Sequence, residues 1–289
     1  MPPTDPTRTR EAFATSAAPA APPVGSAERP PAPGAIRLLW NRTATLCLLE
    51  LAKLRHDRTE LYTRAIQPAL WLLVFGVTFT RIHAIPTPGR LPYLDYLAPG
   101  VMAQSALFIA IFYGIQLIWE RDFGILTKLL ATPTPRAALV AGKAFAAGVR
   151  AISQVVVVLV LAAVLGVTFR WQPLSLLGSV AAVMLGSSFF ASLSMTIAGL
   201  VRSRDRLMGI GQAITMPLFF ASNALYPTAL MPGWVQAITR VNPLSYEVNA
   251  LRQLLLGLPG NLAMDFAALL GATVAGITAA SLLLGRLAR

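Results

Sequence analysis

The sequence predicts an all-α integral membrane protein: six transmembrane helices preceded by an amphipathic interface helix. Three observations lead there. The chain of 289 residues is 55% hydrophobic and 12% charged, whereas a soluble domain carries about 25% charged residues. So few charges cannot clothe a water-facing surface of this size. The charges sit in short segments between long uncharged windows, several close to the roughly 20 apolar residues that cross a bilayer as a helix. Lys and Arg are divided unequally between alternate segments, as membrane topology requires.

Taken in order, residues 1–36 are rich in Pro and Ala and hold no apolar run, which predicts a disordered cytoplasmic tail without a secretory signal. From Ile36 to Glu60 the pattern turns helical. Trp40, Ala44, Cys47, Leu51 and Leu54 recur at steps of three and four, with Arg42, Glu50, Lys53, Asp57 and Glu60 mostly opposite. That spacing predicts an amphipathic helix on the membrane surface, opening a transmembrane domain over residues 37–289. Spans are expected near residues 62–81, 96–118, 147–168, 174–201, 207–226 and 264–285, each bounded by charge or proline. An even number puts both ends on one side. Nineteen of the 24 Lys and Arg residues fall on the side of the termini, so both termini are expected in the cytoplasm and the chain in the plasma membrane.

Several function classes are disfavoured. The net charge of +12 falls between apolar runs rather than on one face, which argues against nucleic acid. Cys47 stands alone and has no metal-ligand cluster around it. Between the charges that bound them (Arg64 and Arg81, Asp95 and Glu120, Arg150 and Arg170, Arg170 and Arg202, Arg206 before Tyr226, Asp265 and Arg286), the six spans contain no Asp, Glu, Lys, Arg or His, unlike most ion-coupled carriers and proton relays. Gly142-Lys143 is the only Gly-Lys pair and lacks the glycine five residues earlier that a phosphate-binding loop needs. The two histidines, His56 and His83, have no nucleophile in an obvious pairing. No catalytic, cofactor or metal residues are therefore assigned, and any ATP chemistry must reside in another subunit.

Two inter-span segments carry a positive signal. The first reads Glu120-Arg121-Asp122-Phe123-Gly124, then an apolar stretch, then Thr132-Pro133, Arg136 and Gly142-Lys143. It predicts a compact cytoplasmic helix-turn-helix able to dock on a partner; the plainer alternative is a charged loop that fixes topology. The second, external, runs from Tyr226 to Asp265 with Pro227, Pro232 and Pro243. Trp234–Arg240 within it is expected to form a short helix that rests at the interface or dips into the bundle. Pro133 and Pro243 also read as ordinary helix breakers, and Arg252 as a headgroup anchor. Phe189, Phe190, Met216, Phe219 and Phe220 either line a path for an apolar substrate or pack. Gly271, Ala275 and Ala279, four residues apart, suit close helix packing.

These segments together resemble the ABC-2 family of ABC exporter permeases. The carriers of the resemblance are the Glu120-Arg121-x-x-Gly124 start, the Thr132-Pro133 turn, Arg136 and Gly142-Lys143. Asn242-Pro243-Leu244-Ser245-Tyr246 with Arg252, and Tyr93-x-x-Tyr96-x-x-Pro99-Gly100, match in order and spacing. The match covers roughly Leu46 to Arg289 and is closest to the daunorubicin-resistance and nodulation-factor branch. Where many members read Thr-Leu-Glu after the glycine, this chain has Ile125-Leu126-Thr127.

The resemblance implies a type V exporter-like permease. It works as a homodimer or heterodimer with a second permease, on ATPase subunits that bind ATP and Mg at the cytoplasmic face. Glu120, Arg121, Gly124, Thr132, Pro133, Arg136, Gly142 and Lys143 would form the ATPase-coupling loop, with Glu120 and Arg121 transmitting force and Gly124 permitting close packing. Pro227, Pro232, Asn242, Pro243, Tyr246 and Arg252 would form the external gate. The substrate path stays unassigned; the uncharged spans favour a hydrophobic or amphiphilic drug, lipid or polyketide-like molecule. A non-energised membrane scaffold and, behind it, an ion-coupled carrier are the alternatives.

Overall fold

The computed structural model describes Thr45 and residues 66–82, 85–130, 135–201 and 203–287. All of them belong to the compact unit Leu38–Arg289. The tail, the interface helix apart from Thr45, Cys47, both histidines, and Thr132 and Pro133 lie outside the described residues. Among the described residues every regular element is helical.

Nine helices follow one another there: α1 (Ile66–Ile82), α2 (Tyr93–Asp122), α3 (Ile125–Leu130), α4 (Arg136–Val164), α5 (Pro173–Val201), α6 (Arg204–Phe220), α7 (Gly233–Val241), α8 (Pro243–Leu256) and α9 (Leu262–Leu287). α2, α4, α5 and α9 are long and apolar enough to cross a bilayer. α1 is shorter and widens into a π-helical turn over Trp71–Gly76. α6, of 17 residues, carries Arg204, Asp205 and Arg206 in its first turn.

α5 is the central helix, packed most extensively on α9, α2 and α4. A membrane helix that packs on neighbours and turns its remaining surface to lipid has no polar face to reserve, and α5 is apolar around its circumference except for small hydroxyl residues. Ser187, Ser188, Ser192 and Ser194 are all buried. Their size lets helices approach, and their hydroxyls find backbone acceptors. Ser194 Oγ donates to the Ile111 carbonyl of α2 at 2.5 Å and Ser188 Oγ to the Ala144 carbonyl of α4 at 3.2 Å. From α9, Thr273 Oγ1 donates to the Leu185 carbonyl at 2.9 Å.

The sequence expectation of a second basic helix separate from the third span is corrected: both are α4, continuous from Arg136 to Val164. No proline interrupts those residues, and the two glycines, Gly142 and Gly148, stand singly among a majority of helix-favouring residues. The small-residue stripe on α9 faces away from the chain's own bundle. Gly271 and Ala275 are exposed, while Thr273, Gly276 and Ala280 meet the interior.

The proline-rich segment after α6 folds back as a helical hairpin of α7 and α8. Pro232 precedes the first turn of α7, and Pro243 occupies the first position of α8, where its missing N–H costs nothing. α8 packs on α5, α9 and α2. Its Glu247 lies against Gly186, near the middle of α5, and its Leu254 against Gly178, near the start of α5. α8 therefore begins at mid-depth in the bundle and climbs toward the end where Asp95 caps the loop residue Thr168 at 2.9 Å.

Candidate functional site

The predicted coupling segment is built on one ion pair. Lys143, on the first turns of α4, reaches Glu120 at the end of α2, with Nζ 2.6 Å from Oε1 and 2.5 Å from Oε2. Their side chains are 10% and 16% exposed, so water screens the pair little and it locks two long helices together. Arg121 spends its guanidinium on the neighbouring Asp122 at 2.8 Å on the surface, an arrangement that contributes little stability. Arg136 is exposed at the start of α4, and Gly142 is buried one residue before Lys143.

Gly124 has a different role from the one expected. A Cβ there would meet no atom of the described residues within 4 Å, so within them it packs on nothing. Its φ of +69° is. That left-handed conformation ends α2, with the Gly124 N–H bonded to the Arg121 carbonyl at 2.9 Å. The turn sends the chain into α3, where Leu126 is buried while Ile125, Thr127 and Lys128 are exposed. Phe123, 70% exposed, stands at the same corner.

The predicted gate residues are brought together by the hairpin. Asn242 sits at its turn: Oδ1 accepts from the Leu244 N–H at 3.1 Å, and Nδ2 donates to the Leu218 carbonyl of α6 at 2.7 Å. Tyr246 Oη donates to the Arg240 carbonyl at 2.5 Å and ties α8 to α7. Pro227 opens a short 3₁₀ turn over Thr228–Leu230.

Arg252 overturns the headgroup-anchor reading. It is 4% exposed. Nε and Nη2 donate to the Tyr96 carbonyl at 3.2 and 3.1 Å, and Nη2 also to the Ala224 carbonyl at 3.0 Å. Its guanidinium lies 3.5 Å from the centre of the Tyr96 ring, a cation–π contact strengthened by desolvation. One side chain thus joins α8, α2 and the loop after α6.

Glu247 was missed. It is fully buried, and neither carboxyl oxygen has a hydrogen-bond partner. A carboxyl enclosed this completely and without a partner is costly to keep. The group lies outside the six predicted spans and reaches bundle depth on α8 instead. The spacing Leu244, Glu247, Leu251 is the signal, since these residues share one helix face with two buried leucines.

A second site was missed at mid-bundle. A cavity of about 410 Å³ receives one glutamine from each of four helices: Gln67 of α1, Gln104 of α2, Gln154 of α4 and Gln212 of α6. Phe108 and Phe112 complete it, together with Met216, which the sequence had marked as a possible path residue. Gln104 is 2% exposed, and its Nε2 has no partner. Such a cavity suits an uncharged molecule with aromatic or aliphatic surface and a few hydrogen-bonding atoms. The phenylalanines proposed for a path are elsewhere: Phe190 and Phe219 are buried in the core, and Phe220 is 46% exposed. Among the described residues, no three His, Cys, Asp or Glu side chains gather as a metal site would require.

Comparison with known proteins agrees with this architecture. The chain is 29% identical over 202 residues to a putative transport permease, ycf38, of Cyanophora paradoxa, covering 69% of each chain. It is 29% identical over 209 residues to the daunorubicin resistance ABC transporter permease protein DrrB1 of Streptomyces coeruleorubidus, covering 71% of this chain and 72% of that one. Nodulation protein J of Rhizobium leguminosarum bv. trifolii is 32% identical over 173 residues, 59% of this chain and 65% of its own. The ABC-2 type transporter family matches residues 42–256, from before α1 to the end of α8. With a helical membrane bundle and a match over that whole stretch, the chain belongs to the ABC-2 type transporter family.

Proposed function

We propose that this chain is the membrane-spanning permease of an ATP-driven exporter that carries an uncharged hydrophobic or amphiphilic molecule out of the cytoplasm or the inner leaflet. ATPase subunits, which hold ATP and Mg, dock around α3 at the cytoplasmic face, and a second permease, identical or related, completes the path. Both termini then lie in the cytoplasm of a plasma-membrane protein that crosses the bilayer six times, with α1 and α6 as the shorter crossings.

One observation carries the coupling part of this reading. α3 hangs between α2 and α4, and the buried Lys143–Glu120 pair joins those two helices beside it. A push on α3 therefore moves two long helices as one unit. The same helices present Gln104 and Gln154 to the mid-bundle cavity, so the push alters the shape of that cavity. The names of the relatives from Streptomyces and Rhizobium, drug resistance and nodulation, support small amphiphilic cargo.

The test is reconstitution with candidate ATPases in proteoliposomes, with ATP hydrolysis and efflux of a fluorescent amphiphile measured together. Glu120→Ala and a double substitution of Thr132 and Pro133 are expected to preserve hydrolysis and abolish efflux. Failure of any ATPase to co-purify would move a non-energised scaffold to the front. Glu247 gives the ion-coupled carrier its one supporting observation, an ionisable group at bundle depth; efflux driven by a proton gradient without ATP would establish that reading instead.

A further inference from the structure

A second cavity, of about 440 Å³, lies at the proline-rich end of the bundle, where α8 ends and α9 begins. Two buried groups of opposite charge line it: Arg252 of α8 and Asp265 of α9, at 4% and 6% exposure. They make no ion pair with each other. Arg252 spends Nε and Nη2 on the Tyr96 and Ala224 carbonyls, and Nη1 stays uncommitted. Asp265 stands in the first turn of α9, where the helix dipole favours a negative charge. Its carboxylate accepts from Gln253 Nε2 at 2.5 Å, with the Asn249 amide beside it. A carboxylate has room for about four such bonds, so it too keeps capacity.

Opposite charges that share a cavity without meeting call for a ligand that carries both. An anion alone meets Arg252 but is opposed by Asp265, and a cation alone is opposed by Arg252. A neutral ligand leaves both charges without a counter-charge. The guanidinium fork suits phosphate or carboxylate oxygens. The cation must donate hydrogen bonds, because Asp265 offers lone pairs. A quaternary ammonium has none to give and relies on aromatic faces, and the Tyr96 ring already carries Arg252 at 3.5 Å.

The cavity also opens onto an apolar track. Met264 lines it and is 58% exposed. Beyond Met264 the outward face of α9 continues as a shallow furrow, where Gly271 and Ala275 stand beside the exposed Leu270 and Val274. From Met264 to Ala275 this furrow runs about 16 Å, close to the depth of one leaflet, half of a hydrocarbon core of about 30 Å. A doubly charged end above an apolar track one leaflet long fits a lipid.

We propose that this cavity holds the headgroup of a membrane phospholipid bearing a phosphate and a primary ammonium, as in phosphatidylethanolamine, with an acyl chain laid along α9. The phosphate meets Arg252 and the ammonium meets Asp265. The lipid is a resident of the fold that ties α8 to α9, not the exported molecule. The proposal therefore depends neither on the export reading nor on any ATPase.

The full chain, purified in a mild detergent and delipidated, is titrated with dioleoyl phosphatidylethanolamine, phosphatidylcholine and phosphatidylglycerol, and bound lipid is counted by native mass spectrometry. Phosphatidylethanolamine is expected to bind about ten-fold more tightly than either of the others, the difference made by one charge-assisted hydrogen bond. Asp265→Asn removes the partner of the ammonium and leaves Arg252 as the one charge, so the preference should pass to phosphatidylglycerol; a merely structural role for Asp265 would weaken all three lipids alike. Equal or tighter binding of either other lipid, or an unchanged preference in Asp265→Asn, overturns the proposal. If Asp265→Asn does not fold, N-methylated headgroups decide in the unsubstituted chain: affinity that falls with each added methyl supports the site, and a flat series refutes it. Soluble glycerophosphoethanolamine separates the two sources of this chemistry. Displacement of the lipid only at far higher concentration supports a lipid site, whereas equal potency assigns a free zwitterion and overturns the lipid.

Discussion

Replacing Lys143 with Met removes an ammonium and strands the Glu120 carboxylate at the end of α2. The two side chains are only 10% and 16% exposed, and Nζ sits 2.5–2.6 Å from both oxygens. Stranding one partner of a buried pair costs about 3–5 kcal/mol. The remaining water contact puts this pair at the low end, about 3 kcal/mol. For a chain of this size about 1 kcal/mol lowers the melting temperature by about 2–4 °C, so the expected drop is roughly 6–12 °C. The double variant Glu120→Gln/Lys143→Met leaves no charge to strand and should recover most of that loss. Thermal unfolding of the four proteins in nanodiscs, followed by tryptophan fluorescence, closes the cycle. A drop of under 2 °C in the single variant, or a double variant no better than the sum of the singles, would refute the claim that this pair locks α2 to α4.

Other perturbations give distinct readouts. In Gly186→Ala a methyl group overlaps the Glu247 carboxyl; a cost of about 1–3 kcal/mol is expected, and Glu247→Ala in the same chain should relieve it, as melting temperatures will show. Gly124→Ala forces an alanine to φ +69° in open space, so a loss of about 1 kcal/mol with no steric component is expected; Gly124→Asn should lose less. Gln104→Leu keeps the shape of the mid-bundle cavity but removes a hydrogen-bonding wall. It should raise the KM of efflux about five-fold for a cargo that hydrogen-bonds there and leave a purely apolar cargo unchanged. Arg252→Met unpairs the Tyr96 and Ala224 carbonyls together; about 2–4 kcal/mol of destabilisation is expected, read from chemical denaturation.

Much of this was legible from the sequence, for identifiable reasons. Long apolar runs bounded by charge mark α2, α4, α5 and α9, because lipid admits almost nothing else. Asn242 and Pro243 read as a gate and a helix breaker, whereas the structure has Asn242 capping α8 and Pro243 in its first turn. Less visible was anything that depends on depth. Arg252 reads equally well as an interface anchor or as a buried strut, since only tertiary packing supplies the Tyr96 and Ala224 carbonyls. Glu247 hid inside a segment that looked external. The four glutamines were overlooked because a search for ionisable groups passes over uncharged amides, although each is plain in the sequence. Gly124 was read as a packing glycine when its φ demanded a turn glycine, a distinction that residue identity alone does not carry.

The α7–α8 hairpin also constrains how the chain is made. Each helix is too short to cross a bilayer, with nine and 14 residues, and α8 carries Glu247 and Arg252, which resist transfer into lipid. The hairpin therefore cannot partition on its own from the translocation machinery. It can settle only once α2, the loop after α6 and α5 have assembled to offer Arg252 its carbonyls and Glu247 its notch beside Gly186. Assembly of this protein thus needs a docking step, and a chain stalled before that step would expose a charged, half-apolar segment to quality-control proteases.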